Sequence, residues 1–199
     1  MSAPRVVIVD SCVYFRLART IHPLLVRPPF GPPPPYSLYI VERLHEEYMR
    51  SPRLLSRFEW VREKQYVDDR SVKTYKPKGS RAKDVMIAYS YVVEQANGVC
   101  ERALSKADLW AIAVVIASID KDFVLVTDDV KMRQTTEILG GTCWSVLQLL
   151  SKLEKMAHVT ASKIDEAVEY MEETDDLPMG RRAFIEEFTS LFARPCPLK

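Results

Sequence analysis

Apolar positions along this chain alternate between short continuous runs and longer stripes of helical period. Val6 to Val9, Tyr36 to Ile40, Phe123 to Val126 and Thr142 to Val146 are rich in β-branched and aromatic residues. Such runs predict strands, and the most continuous of them suit a parallel sheet covered on both faces. Helical stripes lie between them. They predict helices over Ser11 to Ala18, from Glu42 towards Arg50, over Ser80 to about Gln95 with a stop at Asn97-Gly98, over Leu109 to Ile119, Val130 to Leu139 and Leu147 to Met156. Val85, Met86, Tyr89, Val92, Val93 and Ala96 form the stripe of the Ser80 helix. Leu109 to Ile119 is apolar nearly all round, so burial on most of its surface is expected. Two amphipathic helices follow, Ser162 to Glu173 and Arg181 to Phe192.

This alternation predicts a three-layer α/β/α Rossmann-like sandwich with a mainly parallel sheet. Residues 1–156 form the expected domain. Residues 157–199 are read as a helical extension packed on or beside it.

Two stretches lack such periodicity. His22 to Tyr36 holds seven of the 13 prolines. Proline has no N–H and a fixed φ, so the expectation for 28–35 is a stiff polyproline connection over the surface. Gln65 to Lys78 is polar and basic, with Arg70, Lys73, Lys76 and Lys78 interleaved with Tyr66 and Tyr75. It reads as a solvated loop, and aromatic residues among basic ones would also suit single-stranded nucleic acid. Just before it, Leu54, Leu55, Phe58 and Val61 share a helical face that leaves out Trp60.

Composition narrows the classes. A length of 199 residues suits one well-buried domain, and a hydrophobic content of 47% is ordinary for a globular chain. The net charge of +1 provides no global basic field, so any nucleic-acid site must be a local patch. No apolar run is long enough for a membrane span, and the start of the chain lacks the features of a signal peptide. Cys12, Cys100, Cys143 and Cys196 are scattered without C-x-x-C spacing, as are His22, His45 and His158. Reduced cysteines in a cytoplasmic protein are expected, not a disulfide frame or a zinc site.

The candidate chemistry is acidic. Asp10 ends the first strand, and Asp128 and Asp129 end the Phe123 strand. Asp108 heads the apolar helix behind Ser105, and Glu47 lies beside the Leu44–Tyr48 stripe, with Glu42 and Glu46 as alternatives. Each has an ordinary role as a helix cap or surface charge. Together they converge on the carboxyl edge of the sheet, where open α/β folds bind ligands. Like charges held close repel strongly in a low dielectric. A divalent cation relieves that repulsion, and all-oxygen donors suit Mg²⁺ or Mn²⁺. Such an ion activates water and steadies charge on a phosphate, which is the chemistry of phosphodiester hydrolysis. Lys106, Lys131 and Arg133 flank the acids in sequence and are candidate contacts for an RNA backbone.

Val7-Ile8-Val9-Asp10-Ser11, Val41 to Tyr48, Lys106-Ala107-Asp108 to Ala113, and Val124 to Asp129 resemble, in order, the acidic motifs of PIN-domain nucleases. The resemblance covers roughly Arg5 to Leu150. It implies a Mg²⁺- or Mn²⁺-dependent endoribonuclease acting on single-stranded or structured RNA. Asp10, Glu47, Asp108 and Asp129 would be the catalytic, metal-holding acids, with Asp128 and Glu46 as substitutes. Ser11 and Thr127 would be supporting hydroxyls. Many such proteins are toxins of toxin–antitoxin pairs and form homodimers, so an antitoxin protein and a second copy are implied partners. Cys12 stands where the family often has Asn. A catalytically inactive PIN-like scaffold that binds RNA or protein is the alternative. A Gly-rich nucleotide turn is missing from Asp10 to Phe15, and Cys12 replaces the second Asp that a haloacid-dehalogenase-type enzyme needs.

Overall fold

The structure, a computed structural model, describes residues 5–44, 46, 52–99 and 104–198, with side chains left aside at 53–55, 97–99 and 121. β1 (Arg5–Val9) enters the core directly, with Val7, Ile8 and Val9 fully buried. It pairs in parallel with β2 (Tyr36–Val41) on one side and with β4 (Val124–Val126) on the other. β3 (Thr74–Tyr75) and β5 (Thr142–Trp144) form the edges, giving the order β3-β2-β1-β4-β5, all parallel. Helices cover both faces, which makes the three-layer α/β/α Rossmann-like sandwich.

On one face lie α4 (Ser80–Val99), α5 (Lys106–Ile116) and α6 (Val130–Ile138). The opposite face carries α1 (Ser11–Leu17), α7 (Val146–Lys155), α8 (Ala161–Glu173) and α9 (Arg181–Phe192). α8 packs on α1 and α9 on α7. Ile164, Ala167, Val168, Met171, Phe184 and Phe188 are fully buried in the same core as the sheet, so the helices after 156 have no separate core. Among the described residues no helix is long and apolar enough to cross a membrane.

Several local expectations are corrected. α4 runs through Asn97-Gly98 to Val99. The cost of a helical glycine, about 1 kcal/mol, is small beside tertiary packing. Met86 is 53% exposed and leaves the α4 stripe. α5 ends at Ile116, and its flanks at Leu109, Trp110 and Ile116 are only partly buried. The proline-rich segment is not an extended polyproline rod. Phe30 and Tyr36 exchange two backbone hydrogen bonds, of 2.9 and 2.7 Å, which close it into a loop over a positive-φ Gly31. Phe30, Leu24 and Leu25 turn inward. Arg5 ties the far limb through Pro34 O at 2.7 Å and lies over the Tyr36 ring.

The polar stretch from Gln65 is ordered too. It forms α3 (Lys64–Val72) and then β3, following α2 (Pro52–Arg57) and a 3₁₀ turn at Glu59–Arg62. Asp69 accepts from the backbone N–H groups of Leu25 and Val26, and buried Arg70 donates to Val61 O at 2.8 Å. Tyr66 stacks edgewise on Trp60, which is buried with Phe15 and Phe58. Tyr75 packs on Phe123. Tyr66, Tyr75 and Arg70 are thus used within the fold, whereas Lys76 and Lys78 stay exposed.

Candidate active site

β1 leads to β2 on its left, whereas β4 leads to β5 on its right, so the strand order reverses between β1 and β4. A crevice opens outside the carboxyl ends of strands at such a switch point. The ladder there extends one residue past each strand: Asp10 N–H donates to Val126 O at 3.0 Å and Thr127 N–H to Trp144 O at 3.1 Å. A cleft of about 480 Å³ occupies the crevice, with Cys12, Arg16, Asp108, Asp128, Asp129 and Lys131 in its wall.

Asp10 lies behind Cys12 of this wall and is 4% exposed. Its Oδ2 accepts from Thr127 Oγ1 at 2.9 Å and Cys12 Sγ at 3.0 Å, and its Oδ1 from Ser11 N–H at 2.6 Å. Burial nevertheless pushes the carboxyl up to about 6 from an ordinary 3.8. The Cys12, Thr127 and Ser11 donors pull it down and the Asp108 charge pushes it further up. The Cys12 thiol is pushed well above its ordinary value, by burial first and then by the Asp10 charge.

Asp108 is placed by local chemistry. Ser105 caps α5, accepting from Asp108 N–H at 3.1 Å, and Asp108 Oδ2 accepts from Ser105 N–H at 2.9 Å. This reciprocal box aims the acid back at the helix start. Burial raises its carboxyl, the Ser105 bonds lower it, and the charge of Asp129 raises it again.

The doublet after β4 divides its work. Asp128 is bound on both oxygens: Oδ2 by Arg16 Nη1 at 2.8 Å, Oδ1 by Val146 N–H at 3.0 Å. Burial still raises its carboxyl, against the pull of the Val146 bond and of Arg16. Asp129 is exposed and caps α6 through Oδ1, accepting from Lys131 and Met132 N–H at 2.8 and 2.9 Å. Its Oδ2 has no hydrogen-bond partner among the described residues. Thr127 joins the sites, since its hydroxyl donates to Asp10 and accepts from Asp129 N–H at 3.1 Å.

Of the remaining sequence-derived candidates, Ser11 Oγ is buried without a hydrogen-bond partner. Lys131 lines the cleft, Lys106 is exposed, and Arg133 Nη2 donates to Thr127 O at 3.2 Å. Glu46 is exposed, and Glu42 pairs with Lys76 on the surface. Glu47 lies outside the described residues. Sequence reasoning missed Arg16. The available signal was one guanidinium within the apolar run from Val13 to Ala18.

The donors are hard carboxylate oxygens beside an orphaned buried hydroxyl, which suits Mg²⁺ or Mn²⁺ in chemistry. Among the described residues no three of His, Cys, Asp and Glu stand close enough to form a coordination sphere as they are. Cys12, Cys143 and Cys196 carry free thiols. Compared with protein-family models, curated proteins and solved structures, the chain matches none of them.

Proposed function

We propose that this protein is a metal-dependent endoribonuclease of the PIN type, cleaving single-stranded or structured RNA. The observation that carries the reading is the closeness of Asp108 to both Asp10 and Asp129, where the strand order reverses between β1 and β4. Two of these acids, Asp10 and Asp108, are disfavoured as anions first by burial and then by a neighbouring aspartate, Asp108 for the one and Asp129 for the other. Taking Asp10 with the cleft wall, four aspartates face one arginine and one lysine, which leaves two negative charges when all are ionised. One divalent cation balances them.

Asp10, Asp108 and Asp129 would hold Mg²⁺ or Mn²⁺, with Glu47 as the fourth candidate. The bound ion supplies an activated water and charge stabilisation at the phosphate. Thr127 orients Asp10 and fixes the Asp129 backbone. Lys131 draws the RNA backbone to the cleft mouth, with Lys106 as a more distant contact. No protein nucleophile is required, so Cys12 acts as a hydrogen-bond donor to Asp10. In this reading the protein works in the cytoplasm, and an antitoxin protein and a second copy of the chain are its candidate partners.

RNA cleavage with Mg²⁺ or Mn²⁺ by wild type, Asp10→Asn and Asp129→Asn tests the assignment. A loss of about 10²-fold or more is expected in each variant, the scale of removing one preorganised group at a reacting phosphate. Undiminished cleavage in both would falsify it. Calorimetric titration with Mn²⁺ separates the inactive scaffold, which would show no carboxylate-dependent binding.

A further inference from the structure

Arg16 sits on α1, six positions after Asp10, and is 8% exposed. Its guanidinium is fixed along two edges. Nη1 donates to Asp128 Oδ2 at 2.8 Å. Nε donates to the backbone carbonyl of Asp176 at 2.8 Å and lies 3.2 Å from Asp176 Oδ2. Nη2 has no hydrogen-bond partner among the described residues, and Arg16 forms part of the cleft wall.

A guanidinium presents five N–H donors in a rigid fork. Here the two acids occupy one terminal nitrogen and the inner one, and the other terminal nitrogen is left to the cleft. Asp128 cannot swing over to fill it, because its second oxygen is held by Val146 N–H. That nitrogen is not sealed in the core: it stays open to the cleft, where an anion can accept from a donor already fixed in place.

We propose that Arg16 is a phosphate ligand of the cleft, its Nη2 donating to a non-bridging oxygen of the RNA phosphodiester held beside Asp10, Asp108 and Asp129. The inference rests on the nuclease reading and adds to it the residue that receives the phosphate. The cleft is strongly acidic, so a phosphate needs a cation already in place. Arg16 is such a cation, and its geometry is set before the substrate arrives. Lysine cannot substitute. One ammonium nitrogen would have to serve Asp128, Asp176 and the phosphate at once, whereas the fork serves all three from separate nitrogens.

Asp176 is then a positioning residue. It lies 160 positions from Arg16 in the chain, in the turn after α8. Arg57 steadies that turn, with Nη2 donating to Thr174 O at 3.0 Å and standing 3.6 Å from Asp176 Oδ1.

The test uses the full chain, with Arg16→Lys and Asp176→Asn beside wild type. The probe is a single-stranded oligoribonucleotide with phosphorothioate linkages, bound in Ca²⁺ and followed by fluorescence anisotropy. Arg16→Lys weakens binding about tenfold or more, the scale of one charge-assisted hydrogen bond. Asp176→Asn weakens it less, because Arg16 remains but is less firmly held. Mn²⁺ affinity, measured by calorimetry, stays at the wild-type level or tightens in Arg16→Lys, since every carboxylate is retained. Unchanged oligonucleotide binding in Arg16→Lys overturns the proposal. So does a parallel loss of Mn²⁺ affinity, which would mark Arg16 as a support for the acids alone. Wild type that binds Mn²⁺ but shows no Arg16 effect leaves the nuclease reading intact, whereas wild type that binds neither Mn²⁺ nor the probe overturns both. If Arg16→Lys does not fold, nitrogen-detected NMR of wild-type arginine side chains under inorganic phosphate decides the matter. A shift of the Arg16 Nη2 signal supports the role, and an unmoved signal rejects it.

Discussion

Arg16 and Asp128 meet at 2.8 Å in the wall of the cleft, with side chains 9% and 4% exposed. This pair separates two neighbouring aspartates that look alike in sequence. Asp128 is consumed by the fold, whereas Asp129 keeps one oxygen for the cleft.

Asp128→Asn is therefore expected to act on stability. Removing one partner of a buried ion pair costs about 3–5 kcal/mol when the other charge is left alone, and the loss here falls below that because Asp176 still faces Arg16. Asp129→Asn is expected to act on the site. Asparagine caps a helix about as well as aspartate, so α6 keeps its start and stability changes by less than about 1 kcal/mol. Denaturant melts of the two variants, paired with Mn²⁺ titrations, check this contrast. Equal stability losses would contradict it.

Asp10 makes stability depend on pH. Its carboxyl sits at about 6 in the fold against an ordinary 3.8, so the folded state holds the proton more tightly than the unfolded chain. Protonation of this group favours the fold fully below about pH 4, and the advantage fades as pH rises through about 6. A gap of about two pKa units is worth about 3 kcal/mol. The melting temperature of Asp10→Asn relative to wild type should thus climb between about pH 4 and pH 7 in the absence of divalent cations. A difference that is flat with pH would count against the burial of this charge.

Added Mn²⁺ is expected to reverse that penalty. Binding to the folded state alone at about 100 times the dissociation constant stabilises it by about 2.7 kcal/mol. Thermal melts near neutral pH should show a clear upward shift in wild type and a much smaller one in Asp10→Asn. Equal shifts in both proteins would place the ion elsewhere.

Phe184 tests the standing of the C-terminal helices. It is fully buried in the common core, and Phe→Ala at such a position costs about 3–5 kcal/mol. One cooperative transition, lowered as a whole, is expected in a chemical melt followed by both near- and far-ultraviolet circular dichroism. A second transition at low denaturant would show α9 unfolding independently.

The parts legible in the sequence are those set by short-range chemistry. Ser105 and Asp108 announce the start of α5 because the box needs residues three apart, and the run before Thr127 announces β4 because its burial leaves no polar position. β3 was not legible, since two residues carry no periodicity and Thr74–Tyr75 becomes a strand through pairing with Ile40–Val41. The basic stretch around Arg70 misled for a related reason. Its polar groups are satisfied by Leu25, Val26 and Val61, which no local pattern connects to it. Within the site, Asp10, Asp108 and Asp129 stood out as acids at element ends. Arg16 did not, because its meaning depends on Asp128 and Asp176, 112 and 160 positions away.

The two rims of the sheet have a consequence for self-association. β3 has two residues and β5 has three, so each edge offers few open backbone groups to another chain. Long open edges invite neighbours to add strands and seed aggregates, and truncated edges are a natural safeguard against that. A second copy of this chain would therefore have to join through helix surfaces, and concentrated solutions should resist the growth of cross-β fibres.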